Sequence, residues 1–571
     1  MYILGLSAYY HDSAAVLLKD GNITCGIEEE RFSRIKHDNG FPFKAIDFCL
    51  KEAGLTINDM DIISYYEKPL LKFERVLETF ITTYPRSMWP FLKGMPEWIE
   101  YKIKIEHTIR TKLNYKGKIT FTSHHLSHAA CAYYTSPFDK SAILTIDGVG
   151  EYQTTGLWMG KDNGIIPLRK IDFPHSLGLL YSTLTSFLGF RVNEDEYKLM
   201  GLAAYGKPTY AKKIFNNLID LKKDGSFKLN MKYFSFREKF RMWSKDFEKL
   251  FGSPNNPQSP QFPQYYKDLA ASVQKVTETV YFSILNHLSS ILPDTPNLCL
   301  SGGVALNALA NGKIYMKTPF NRVHIYGAAG DSGGALGAAL YLYNTLPNPP
   351  KLSNSNSTLL LGSSYSNKQI ESVLKKYKLK YKKLSLPSLI SQTSQMLASG
   401  KIVGWFQGPC EFGPRALGSR SILCAPSPRE MKRKMNAIKR REQFRPFAGS
   451  ILQSHVHEYF EVPEKNHHSP FMVFCFPVKK EKRKELAAIV HADNSCRIQT
   501  VNKDNGLYYD LIKKFYSLTS IPCILNTSFN LKGEPIVENP EQAIKDFLKT
   551  KMNYLVIGNY LIEKLPITKT P

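Results

Sequence analysis

The sequence predicts an α/β fold with a duplicated half-domain. Two observations carry this: a strand–turn–strand order that occurs twice, and two junctions where a short apolar strand runs through a glycine turn into a helix of small residues. The first copy opens the chain, with strands at 2–6, 14–18 and 23–27, a polar turn holding His11 and Asp12, and the turn Lys19-Asp20-Gly21-Asn22. The second begins at Ser141 with SAILTID, then the turn Gly148-Val149-Gly150, the strand TGLWMG, the turn KDNG and a strand from Ile165. The junctions are LCLSGGVALNALANG at 298–312 and VHIYGAAGDSGGALGAAL at 323–340. Both point backbone N–H groups and a helix N-terminus at an anion. Duplication with such turns suggests the actin-like ATPase class, in which nucleotide lies between similar lobes.

A chain of 571 residues is too long for one hydrophobic core, so two or three domains are expected. Proline, asparagine and serine concentrate in NTLPNPPKLSNSNST, which sets a first domain at 1–345, a linker at 346–358 and a second domain at 359–571. An aromatic, lysine-rich stretch at about 67–115 has helical spacing and reads as an insertion, and 209–265 is irregular. Acceptor-specific surface is expected in these two stretches. Nine dispersed cysteines without a CxxC pair fit free thiols in a reducing compartment. The chain starts on a strand rather than a basic leader and has no apolar run of the roughly 18 residues that span a bilayer. A cytoplasmic protein with no membrane partner is therefore expected.

The formal net charge of +25 raises the question of nucleic acid. Between Lys401 and Arg445, however, eleven basic residues face three acidic ones, a local excess suited to one compact anion. Cations or hydroxyls stand beside small or aromatic residues in CEFGPRALGSRS (Arg415, Arg420), KRREQFRPFAG (Lys439, Arg445), SCRIQTV (Arg497) and LNTSFNLKGEPI (Thr527, Ser528). Burying unpaired guanidinium groups costs several kcal/mol each, and a phosphate held by paired hydrogen bonds removes that cost. A phosphate ligand is preferred and nucleic acid disfavoured. A solvated basic face is the plainer alternative.

In HHLSHAA, His124 and His128 are four apart, which puts both imidazoles on one helix face. Asp147 ends a strand and Asp331 sits in GAAGDSGG, so both carboxylates project from strand ends. Two imidazoles with one or two carboxylates and open positions suit ferrous iron, and also zinc or manganese, in a Lewis-acid role. His11, in the first turn of the duplicated unit, can take a proton from an attacking hydroxyl. A capped or core histidine pair is the plainer reading of His124 and His128, and a histidine that merely hydrogen-bonds its turn that of His11.

Together these segments resemble the NodU-type O-carbamoyltransferases: HDSAAVLLKDG, EEERFSRIKH, HHLSHAA, EYKLMGLAAYG, LSGGVALN, GAAGDSGGALGAA, GWFQGPCEFGPRALGSRSIL, REQFRPFA, RIQTV and LNTSFNLKGEPIV, spread over nearly the whole chain. The resemblance implies an actin-like (ASKHA) lobe followed by a YrdC-like α/β domain. It implies that the second domain takes carbamoyl phosphate and ATP with Mg and makes carbamoyl-adenylate, which a hydroxyl of a small-molecule acceptor, a secondary metabolite or sugar, then attacks in the first.

By the same likeness His124, His128 and Asp331 ligate Fe(II), with Asp147 completing the shell. Lys198, Asn307 and the turns at Gly302, Gly303 and Gly330 hold the adenylate. Lys439, Arg445, Arg497 and Ser528, with Thr527 beside them and Arg415 nearby, bind phosphate groups. Lys439 and Arg445 act in catalysis, and His11 is the general base. Pro409-Cys410 departs from the expected residues before EFGPRALG. Two other readings stay open: a tRNA threonylcarbamoyl-type enzyme, and an actin-like nucleotide-binding scaffold. A homodimer is also open.

Overall fold

The computed structural model describes residues 1–256, 262–347, 358–463 and 467–564. Most of the expected linker therefore lies outside the described residues, as does part of the irregular stretch 209–265. The chain divides into two compact units, Met1–Glu29 with His37–Thr358, and Glu30–Lys36 with Leu359–Pro571.

The first unit contains two five-stranded sheets of matching design. In one, β1 (Tyr2–Ser7), β2 (Ala14–Lys19) and β3 (Asn22–Glu28) form an antiparallel meander, and β4 (Ile62–Tyr65) and β5 (Lys118–Phe121) add parallel strands on the other side of β1, giving the order β3-β2-β1-β4-β5. The other repeats this with β6 (Lys140–Ile146), β7 (Gln153–Lys161) and β8 (Gly164–Asp172), while a small hairpin of β9 (Ile219–Leu221) and β10 (Phe227–Leu229) stands apart. Then β11 (Asn297–Ser301) and β12 (Arg322–Ile325) pair parallel beyond β6, so the order β8-β7-β6-β11-β12 matches the first sheet strand for strand. This duplicated topology makes the unit actin-like. Residues 69–112 are largely helical, in Pro69–Thr83, Met88–Glu97 and Ile105–Lys112.

The central strands are buried on both faces, which is why YILGLS and AAVLLK lack polar alternation. The helix Asp331–Asn344 covers β1, and its small residues let it approach very closely. A Cβ on Gly5 would lie 2.1 Å from the Ala335 carbonyl oxygen, and one on Gly337 would lie 1.8 Å from that of Ser127 in the helix His124–Tyr134. One junction departs from expectation. After β11 the chain makes only a turn at Gly303–Leu306 and a single helical turn Ala308–Asn311, because the Asn307 side chain accepts the Ala310 N–H and restarts the helix.

The second unit is an α/β domain with one nine-stranded mixed sheet, as expected of a YrdC-like unit. Its strands are β13 (Lys382–Lys383), β14 (Val403–Phe406), β15 (Arg420–Cys424), β16 (Ala448–Leu452), β17 (Phe474–Pro477), β18 (Ser495–Val501), β19 (Cys523–Ser528), β20 (Tyr554–Ile557) and β21 (Tyr560–Glu563), in the order β13-β21-β20-β14-β15-β19-β16-β18-β17. Trp405, Leu423, Leu511, Phe515 and Val556 lie in its core. Glu30–Lys36 belongs to this unit although the sequence reading kept it in the first. Arg31, 1% exposed, pairs with Glu30 and donates to the Gly413 carbonyl (2.6 Å), and Arg34 donates to those of Ile536 (2.7 Å) and Pro535 (2.8 Å). The EEERFSR motif thus fastens two loops of the second unit.

Gly337→Ala should destabilise the first unit by about 3 kcal/mol or more, since the added methyl meets backbone that cannot rotate away. Gly94→Ala, at an open helical position, should be neutral or stabilise by up to about 1 kcal/mol. Denaturant unfolding of both variants checks the pair, and equal midpoints would refute the close-packing argument.

Candidate metal and anion sites

Four side chains from three distant parts of the first unit meet at one point. The helix His124–Tyr134 presents His124 and His128 on one face, with their Nε2 atoms 3.1 Å apart. Asp147, directly after β6, turns Oδ2 to both, at 3.2 Å from His124 and 3.0 Å from His128, while its Oδ1 accepts the Gly148 N–H at 2.7 Å. Asp331, the first residue of its helix and 1% exposed, brings Oδ1 to 3.5 Å from His128 Nε2 and 3.9 Å from His124 Nε2. The sequence reading placed Asp331 in a turn. As the opening residue of a helix packed on β1 and on the histidine helix, it is held more rigidly than a turn residue.

These ligand atoms all lie within 4.8 Å of one another. Donors about 3 Å apart suit a single ion with bonds of about 2.1 Å. Two further observations test the fit. Asp331 Oδ2 is buried without a hydrogen-bond partner, and two carboxylates of like charge share the cluster. A divalent cation would answer both, so the residues fit one. Burial would raise the Asp147 carboxyl, but hydrogen bonds from His124 and His128 hold it well below the usual carboxylate range. Burial would lower His128, yet Asp147 and Asp331 push it up to about 9. His128 Nδ1 lies 3.2 Å from Ser301 Oγ, the kind of outer contact that orients a metal-bound imidazole.

His11 lies beside this cluster, with Nε2 3.8 Å from Asp331 Oδ2 and Nδ1 2.9 Å from Asp12 Oδ2. Asp12 also contacts His37 Nδ1 at 2.7 Å. Burial would lower the His11 pKa, but Asp331 and Asp12 push it up to about 10, so a neutral base there requires the Asp331 charge to be engaged elsewhere.

Of the residues expected to hold adenylate, Gly303 borders the cluster: a Cβ there would lie 3.1 Å from Asp147 Oδ1. Gly302, at φ +95°, passes so close to β6 that a Cβ would meet the Ile146 carbonyl at 2.2 Å, and its N–H is taken by Ala329 O at 2.8 Å. Gly330 precedes Asp331, and a Cβ there would meet nothing nearer than Leu306 Cδ1 at 4.0 Å. Asn307 forms a reciprocal amide pair with Gln274, 3.0 Å each way. Lys198 pairs with Asp195 at 2.7 Å.

In the second unit the expected cations separate into two kinds. Lys439, 4% exposed, donates to the backbone oxygen of Ser528, to Asn530 O (3.1 Å) and to Asn530 Oδ1 (2.7 Å). Burial, with the charges of Arg441 and Arg445, holds its ammonium well below the usual lysine range. Arg445 also acts electrostatically on Arg497, whose pKa is lowered chiefly by burial and whose buried Nε has no hydrogen-bond partner. Ser528 and Thr527 end β19, opposite Ser421 and Ile422. Lys439, Arg445, Arg497 and Ser528 therefore form one cationic neighbourhood.

Arg420 is of the other kind. It is fully buried and donates to the carbonyls of Gln407, Gly408, Ser419, Ser363 and Glu538, so its burial needs no ligand. Arg415 lies in a loop closed by Glu411, whose Oε1 accepts the N–H groups of Leu417 (2.7 Å), Ser419 (2.8 Å) and Arg420 (3.2 Å). Cys410, the departure noted above, is buried, and its backbone pairs with Gly362 and Ser363.

Sequence reasoning missed Glu411, Asn530, Ser301 and Glu151. The Glu151 carboxylate accepts the His124 N–H (3.0 Å) and the Lys68 N–H (2.8 Å), and so caps the histidine helix from a distant loop. The signal that could have found Glu411 is a lone acid heading the glycine-punctuated loop EFGPRALG. Nothing local marks Glu151.

The carbamoyltransferase N-terminus family model matches residues 2–340, and the carbamoyltransferase C-terminus model matches 394–564. The chain is 44% identical over 599 residues to the uncharacterized protein sll1178 of Synechocystis, covering 99% of this chain and 97% of that one. It is 36% identical over 563 residues to nodulation protein NolNO of Sinorhizobium fredii (98% and 80% covered), and 32% identical over 243 residues to nodulation protein U of Rhizobium fredii (42% and 39%). With its metal-fitting cluster inside the stretch matched by one model and its buried cations inside that matched by the other, this chain belongs to the carbamoyltransferase family.

Proposed function

We propose that the protein is an O-carbamoyltransferase that uses carbamoyl phosphate and ATP, through a carbamoyl-adenylate, to carbamoylate a hydroxyl of a small-molecule acceptor. The convergence of His124, His128, Asp147 and Asp331 within the N-terminal family match carries this reading. Lys439, Arg445 and Arg497 receive carbamoyl phosphate: three cations that act on one another gather there, with Glu442 3.8 Å from Arg445, and a phosphate is the ligand of opposite charge that suits them. Cleavage of carbamoyl phosphate by water gives carbamate and phosphate; carbamate is a poor electrophile, and its attack on the α-phosphate of ATP releases pyrophosphate and couples it to AMP, a good leaving group. Gly303 and Gly330 border the adenylate in the first unit, and His11 takes the proton of the attacking hydroxyl.

His124, His128, Asp147 and Asp331 hold a divalent ion, iron by preference, which supplies Lewis-acid neutralisation of charge on the phosphate. The acceptor is a hydroxylated metabolite or sugar, and a soluble reaction in the cytoplasm fits the free thiols.

With carbamoyl phosphate and ATP, Lys439→Ala should lose pyrophosphate release by about 100-fold or more. His11→Ala should keep it while losing carbamoyl transfer by about 100-fold, read as AMP release and the acceptor's mass shift. Equal loss of pyrophosphate release in both variants would remove His11 from the second step.

Metal content supplies a separate check. His124→Ala and Asp331→Asn should purify with little bound metal and no transfer activity, while elemental analysis of the native protein distinguishes iron from zinc and manganese. Undiminished metal in both variants would reject the cluster.

Because Lys439 is held below its usual range, phosphate binding should take up a proton and tighten as pH falls through that lowered value. Calorimetry in buffers of different ionisation enthalpy should record the uptake, and Lys439→Met should abolish it.

A further inference from the structure

The first unit carries an apolar projection that the chemistry above does not use. Helices Pro69–Thr83 and Met88–Glu97 form a hairpin whose inner side is closed by Phe80 stacked on Phe91, centroids 4.0 Å apart. Its outer side at the turn shows Ile81 (71% exposed), Tyr84 (62%), Met88 (45%), Trp89 (71%) and Leu92 (56%). A neighbouring loop adds Phe240, 66% exposed, with Lys93 Nζ 5.0 Å from its ring centroid. That loop is tied to the hairpin by Arg237 donating to Thr82 Oγ1 (3.2 Å) and by the Arg86–Glu238 ion pair (3.4 Å). Arg86, Lys93 and Lys239 stand exposed around the apolar residues.

We infer that this hairpin tip docks the protein on an anionic lipid bilayer. The argument is complementarity of charge and form. Exposed apolar patches of this kind mark interaction sites, and a cationic rim on a chain of net charge +25 matches an anionic surface. The apolar groups project from a helical turn instead of lining a groove, so they suit a soft apolar medium that needs no preformed pocket. Tryptophan and tyrosine at the margin favour the headgroup level. No helix among the described residues is long and apolar enough to cross a membrane, so the mode is adsorption. The expectation of no membrane partner rested on the lack of a spanning segment, which adsorption does not require.

The test is co-sedimentation with vesicles of phosphatidylcholine, alone and mixed with phosphatidylglycerol. The native protein should pellet with the anionic vesicles, less so as salt rises. Trp89→Ser combined with Leu92→Ser should weaken binding about tenfold or more with an unchanged melting curve. Arg86→Glu combined with Lys93→Glu, which keeps the apolar groups, should remove the preference for the anionic lipid. Binding that both double variants retain would overturn the inference. So would a vesicle-free dimer of the native protein that the serine variant dissociates, since a second copy would then cover the tip.

Discussion

The first unit is organised around the problem of keeping two carboxylates and two imidazoles together out of water. Asp147 and Asp331 repel one another, and neither could be buried there without the histidines. The fold answers with rigid supports. Asp331 opens a helix pressed on β1 through Gly5, the histidine helix is pressed on the Asp331 helix through Gly337, and Glu151 satisfies an N–H at the start of the histidine helix. Each glycine marks where backbone must touch backbone for the four ligands to share one point.

That constraint explains which parts of the site could be read from sequence. The duplicated order of strands was legible because each half repeats the same meander and the same two parallel additions, and a repeat survives divergence of individual residues. His124 and His128 were legible because four-residue spacing fixes a helix face. The role of GAAGDSGGALGAA was only half legible. Its glycines read as an anion-binding turn, yet Gly333 and Gly337 serve helix packing, which depends on a partner helix some two hundred residues away in the chain. Glu151 and Asn530 were not legible at all, since each acts on a group that only the tertiary fold brings near.

The division into units shows the same limit. Composition set the expected boundary at the Pro/Asn/Ser-rich stretch, because those are the residue types of linkers. It could not show that Glu30–Lys36 belongs with the second unit, because the signal there is one of pairing: a buried guanidinium, Arg31, reaching the Gly413 carbonyl.

The cations of the second unit make the distinction sharpest. Arg420 and Arg497 look alike in sequence, each following a small residue at or near the start of an apolar run, in GSRSIL and SCRIQTV. Arg420 is surrounded by five backbone carbonyls and stacks over Phe406 at 3.6 Å, so its charge is compensated by dipoles of the surrounding backbone. Arg497 and Lys439 have their charge depressed by burial and by neighbouring cations, with oxygen dipoles near Lys439 but no carboxylate among its hydrogen bonds. A buried charge compensated by the surrounding backbone is architecture. A buried charge that its surroundings weaken keeps affinity in reserve for an anion, and this is why the second group, and not the first, is the place to look for phosphate.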